Sequence, residues 1–168
     1  MSTREQLRQE IEATKVAFHQ LLDSIPEEAY DLPSDNPAWN VGEVFYHMSI
    51  APRLLGNDVK MITRQNWIYR LVPILIPKAV FDWLNKVLTR YGARNLSRDF
   101  LAREYDKAHD ATVKALDGVA DDDFAKHLHY PDWDPLLSGE VTLERLFHYV
   151  KAHFDSHAEQ IKRIVELE

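Results

Sequence analysis

The chain has 168 residues, 45% of them hydrophobic and 28% charged, with a formal net charge of −7. That is the make-up of one soluble globular domain over residues 1–168, and it excludes a disordered or fibrous chain. The absence of cysteine excludes disulfides, thiolate metal sites and a thiol nucleophile, so any metal must be held by nitrogen and oxygen.

Other partners follow from charge and hydropathy. An acidic chain with scattered Lys and Arg lacks the concentrated basic surface that nucleic acid requires, so no nucleic-acid partner is expected. The most apolar run, WIYRLVPILIP at 67–77, contains Arg70, Pro73 and Pro77 and is too short to span a bilayer, so no membrane is expected either. The charged start MSTREQLRQEIEATK has no apolar signal region, which places the protein in the cytoplasm.

The first segment carries Leu7, Ile11, Thr14, Phe18, Leu21 and Leu22 at three- and four-residue spacing, which predicts an amphipathic helix ending near Pro26. After a turn-rich stretch with Pro33 and Pro37, Asn40 and Glu43 form a capping-box pair, flanked by Trp39 and Val44 as a hydrophobic staple. Helix two then starts at about Val41, with Val44, His47, Met48, Ala51 and Leu55 on one side and Pro52 expected to bend it. An apolar insertion follows, and KAVFDWLNKVLTRYG predicts a short helix ended by Gly92. Ser97 caps a third long helix whose stripe is Leu101, Tyr105, Ala108, Thr112, Ala115 and Leu116, stopped at Gly118. HYPDWDPLLSGE reads as a loop, and Thr142 caps a last long helix with Leu143, Leu146, Phe147, Val150, His153, Phe154, His157, Ile161 and Ile164 along one side. Four long helices without an alternating strand predict an all-α four-helix bundle of up-down antiparallel pairs, with a longer apolar helical insertion between helices two and three.

His153 and His157 are four residues apart within an apolar stripe, so both imidazoles point into the bundle about 6 Å apart along the axis. Spacing alone is a thin signal, since chance gives about 0.4 such pairs among eight histidines in a chain of this length. A structural alternative is a pair of buried histidines bonded to carboxylates or carbonyls. His47 shifts the balance because helix two also presents a histidine on its apolar side. Three inward imidazoles need partners, and a divalent transition metal takes three such nitrogens with positions left for water. His148 lies about 140° round the helix from His153 and suits a flanking role. His19, His127 and His129 read as solvated, and His109 lies on the edge of its stripe. The paired Glu-x-x-His motifs of di-iron carboxylate bundles are absent.

The stretches WNVGEVFYHM and TLERLFHYVKAHFDSHAEQI resemble the DinB-like, YfiT-like four-helix bundles. The resemblance implies that His47, His153 and His157 bind a divalent transition metal such as zinc, nickel or iron. It further implies a metal-dependent hydrolase, or an S-transferase or isomerase using a low-molecular-weight thiol. With no cysteine of its own, such a protein would use the metal to activate water or a thiol. Glu43, one turn before His47, is a candidate catalytic base as well as a cap. Asp155, about 200° round from His153, belongs to a solvated face, and Gln160 either hydrogen-bonds the site or packs.

The expected partner is a small, apolar substrate. Residues 66–84 are too apolar to lie free in water and are expected to wall the substrate cleft, with a homodimer contact as the second reading. The rival class is a non-catalytic bundle that binds an apolar ligand or a partner, its histidines structural.

Overall fold

The stripe from Leu7 to Leu22 becomes the buried face of helix α1, Thr3–Ser24, in a computed structural model that describes residues 2–64, 76–94 and 96–166. A 3-10 turn, Glu27–Asp31, leads to α2, Val41–Arg64. The capping box at its start is formed in both directions. Asn40 N–H donates to Glu43 Oε2 (2.9 Å) and Glu43 N–H donates to Asn40 Oδ1 (2.8 Å). The helix runs on through Pro52, whose carbonyl accepts from the buried Thr112 hydroxyl at 3.1 Å. Helix α3 is Lys78–Gly92, α4 is Arg98–Asp117 and α5 is Leu143–Glu166. The last two begin at the expected caps, Ser97 Oγ accepting from Phe100 N–H (3.4 Å) and Thr142 Oγ1 from Arg145 N–H (3.1 Å).

Side-chain pairings set the directions of the four long helices. Arg4 and Arg8 reach Asp121 and Asp117, whereas Lys15 and His19 meet Asp106, so α1 and α4 are antiparallel. Tyr46 stacks with Phe100 and Pro52 meets Thr112, so α2 and α4 are parallel. One apolar cluster joins Leu7 and Ile11 of α1, Leu55 and Ile62 of α2, and Leu143 and Leu146 of α5. The other joins Phe18 and Leu22, Val44 and Met48, and Phe154 and Ile161. Thus α5 runs with α1 and against α2. The order is up, down, down, up. Two parallel neighbours of about 30 Å each require a connection that carries the chain back from one end to the other, and residues 65–97 make that connection.

The expected fold class therefore holds in its coarser part. The described residues are mainly helical, but they form five helices and a small two-stranded sheet, not a plain four-helix bundle of up-down pairs. The stretch read as a loop is a hairpin, β1 (His127–Asp134) antiparallel to β2 (Leu137–Thr142), with Leu128 opposite Val141 and Tyr130 opposite Gly139. Leu128, Tyr130 and Val141 are buried while His127 and His129 face out, the period-2 pattern of a strand with one covered face. Pro131 and the Asp134-Pro135 turn obscure this in the sequence. They fall where the register becomes irregular, between Tyr130 and Asp134.

Of the apolar insertion, residues 66–75, including Trp67, Leu71 and Leu75, lie outside the described residues. From Lys78 the chain forms α3, held against the hairpin by Phe81 stacked on Trp133 (centroids 5.1 Å apart) and by Lys78 Nζ donating to the Trp133 carbonyl at 2.9 Å. Gly92 is required by packing more than by chain reversal, since a Cβ there would fall 2.0 Å from the Tyr46 hydroxyl. Among the described residues no helix is long and apolar enough to cross a membrane.

Candidate metal centre

The antiparallel run of α2 against α5 brings the second turn of α2 level with the middle of α5. His47 thereby meets His153 and His157, and one ligand atom from each lies within 4.8 Å of the other two. His47 and His153 are buried and His157 half-buried. The Nε2 atoms of His47 and His153 are 3.2 Å apart. A tetrahedral ion with nitrogens at 2.0–2.1 Å spaces them by about 3.3 Å, so this pair is already at coordination distance.

The outer nitrogens are partly held. Gln160 Oε1 accepts from His157 Nδ1–H at 3.0 Å, which leaves His157 Nε2 as the lone-pair nitrogen. Thr89 Oγ1, fully buried on α3, lies 3.4 Å from His47 Nδ1. His153 Nδ1 is buried with no hydrogen-bond partner among the described residues.

Burial, reinforced by His157, pushes the His47 pKa down to about 3. Burial, then His47 and His157, holds His153 well below the ordinary imidazole value. His157 is lowered by burial against the opposing effects of Gln160 and Asp134. Near neutral pH the site therefore presents uncharged rings with free lone pairs. Three neutral nitrogens and no carboxylate suit zinc, nickel or iron better than magnesium or calcium. The donor set fits a divalent transition metal.

The DinB superfamily pattern matches residues 10–161. The chain belongs to the DinB superfamily. The match spans most of α1 through most of α5 and includes all three histidines, which extends to nearly the whole chain the resemblance carried by the two quoted stretches. No curated protein sequence matches this DinB chain.

In this DinB protein the three rings open onto a cavity of about 580 Å³ bounded by α2, α3, α5 and the hairpin tip. Its wall is largely apolar, with Trp39, Leu54, Phe81, Leu88 and Trp133 prominent. Residues 76–84 of the insertion supply Phe81, Asp82 and Leu84 to it. Two carboxylate–phenol pairs also line it. The Tyr130 hydroxyl donates to Asp58 Oδ1 (2.9 Å) and the Tyr149 hydroxyl to Asp134 Oδ2 (2.5 Å). Burial pushes Asp58 up to about 6 against the lowering effect of Tyr130. Burial, and then the neighbouring aspartates, raises both tyrosines. The sequence reading missed these four residues. Tyr149 had a signal, lying four before His153 on the same helix face; Asp58, Tyr130 and Asp134 meet it only in three dimensions.

The remaining histidines of this DinB chain are all engaged elsewhere. His19 meets Asp106 (2.9 Å), His148 meets Glu10 (2.9 Å), and His127 and His129 flank Glu140 (3.4 and 3.1 Å). His127 and His129 are solvated as expected, but on a strand and not in a loop. His109 is buried on α4 with Glu12 Oε1 3.1 Å from its Nε2, a charge contact outside hydrogen-bond geometry. Asp155 is exposed and paired with Lys151. Glu43 has its carboxylate on the Asn40 N–H and is not among the residues lining the cavity.

Proposed function

We propose that this DinB protein is a metal-dependent enzyme acting on a small, mainly apolar molecule, as a hydrolase or a small-thiol-dependent S-transferase. The observation that carries this reading is the convergence of three uncharged imidazoles at the wall of an apolar cavity large enough for an organic substrate. A divalent ion held there supplies Lewis acidity, the means by which water or a thiol becomes a nucleophile near neutral pH without a cysteine. His47, His153 and His157 hold the ion; Gln160 and Thr89 hold the rings of His157 and His47 in place. Phe81, Leu88 and Trp133 line the cavity with apolar surface that limits water in it. Glu43 enters as the cap that fixes the start of α2 one turn before His47.

The test is to strip the protein, reload it separately with zinc, nickel or iron, and assay ester hydrolysis and thiol transfer to an electrophile. Turnover that requires one of the ions and is lost in His153→Ala supports the reading. Apolar-probe binding that persists after chelation, with no turnover under any ion, favours the non-catalytic bundle.

A further inference from the structure

Asp58 and Asp134 are half-buried carboxylates in the cavity wall, and neither has a cationic partner among the described residues. Asp58 accepts from Tyr130; Asp134 accepts from Tyr149 and from the Leu136 N–H (2.8 Å). No described lysine or arginine lines the cavity. Carboxylates drawn out of bulk water cost free energy unless hydrogen bonds and an opposite charge compensate, and here the hydrogen bonds are present while no described lysine or arginine faces them. Neither carboxylate belongs to the three-nitrogen group, so neither is spent as a ligand there. Aromatic residues share the cavity with them. Tyr130, Tyr149 and the stacked pair Phe81 and Trp133 line the same space, and such faces attract cations.

We propose that the cavity selects an organic cation: a protonated or quaternary amine on an apolar body, its charge facing Asp58 and Asp134 among the rings of Tyr130, Tyr149 and Trp133. This rests on the metal-dependent reading for where the reaction occurs, but it concerns recognition and is tested separately. The burial that holds Asp58 near 6 is consistent with a carboxylate that gains from a cation supplied by the ligand.

The experiment uses metal-loaded protein and three probes of matched size: phenethylammonium, phenethyl alcohol and hydrocinnamate. Binding is followed by calorimetry, with metal content measured on the same samples. Phenethylammonium should bind about tenfold more tightly than the alcohol, as expected for a cation among aromatic rings with a carboxylate acceptor, and hydrocinnamate should bind least. Asp58→Asn and Asp134→Asn should each bring the ammonium down toward the alcohol while leaving alcohol binding and metal content unchanged. An anion that binds as well as the cation overturns the proposal, as does a cation preference that survives both substitutions. Variants that lose metal while alcohol binding holds would also overturn it, because the carboxylates would then serve to offset the ion's charge. If neither variant folds, the ranking of the three probes on wild type decides. Wild type that binds no metal but keeps the ammonium preference would remove the enzyme reading and leave this one standing.

Discussion

The outer face of the β1–β2 hairpin and the inner seam between α2 and α5 each carry a close pair of histidines, and their surroundings are opposite. His127 and His129 stand two apart on a strand, 59% and 72% exposed, and share Glu140. His153 and His157 stand four apart on a helix, turned inward, and meet His47 with no carboxylate among the three. The same contrast separates the whole set. Every histidine outside the seam has an aspartate or glutamate within 3.4 Å, while the three inside have one another. Neither count nor spacing thus separates the inward three from a pair of surface histidines. Burial keeps the inward rings neutral, and among the described residues no carboxylate pairs with them as one does with each of the others.

The sharpest way to break that contrast is to remove rings from each side of it. His47→Ala, His153→Ala and His157→Ala should each lose nearly all bound metal from a wild-type level of about one ion per chain, because a site of three ligands does not tolerate the loss of one. His129→Ala and His148→Ala should keep it. Elemental analysis of the five proteins checks this, and equal metal in all of them would sink the assignment.

Carboxylates sharpen the comparison next. The folded-state pKa of Asp58, about 6, is above the ordinary carboxyl value of 3.8, so between those values the folded state binds more protons than the unfolded one. The cost of burying this charge is therefore absent at about pH 4, grows as pH rises through the window, and is complete above about 6. Asp58→Asn removes the charge but can still accept from Tyr130, and it should gain about 2 kcal/mol over wild type between about pH 4 and about pH 7. Denaturant unfolding across that range reads the difference. A variant no more stable at the upper end would show that the cavity already solvates the carboxylate.

A smaller effect tests whether α3 belongs to the candidate metal centre or merely covers it. Thr89→Val preserves shape and removes the oxygen facing His47 Nδ1, so metal affinity should fall about tenfold while Thr89→Ser retains it. Competition with a coloured chelator measures this, and identical affinities for both variants would reduce Thr89 to packing. The smallest effect is at Glu43. Its replacement by Ala should cost about 1 kcal/mol of stability through the lost cap and leave metal content unchanged, as followed by thermal unfolding beside elemental analysis. A loss of activity well beyond that stability change would return Glu43 to the reaction.

Much of this molecule was legible before folding was considered, because some signals are local. The stripe from Leu7 to Leu22, the Asn40–Glu43 box, the Ser97 and Thr142 caps and the inward placement of His47, His153 and His157 depend on a helical period and on hydrogen bonds spanning three residues. The hairpin was less legible because its alternation, His127 to Tyr130, is only four residues long and is followed by Pro131, Asp132 and Asp134, which signal turns on their own.

By itself, then, the sequence determined where the long helices start and which faces they bury, and it placed three histidines on those faces. The tertiary structure alone decided the rest: that α2 runs parallel to α4, that α3 returns over the site with Thr89 against His47, and that Asp58, Tyr130, Asp134 and Tyr149 share one cavity. Those residues come from separate elements, and no periodicity along the chain encodes the distance between side chains tens of residues apart. That distance is set by how the buried faces pack, since only packing fixes which helix ends lie level with one another.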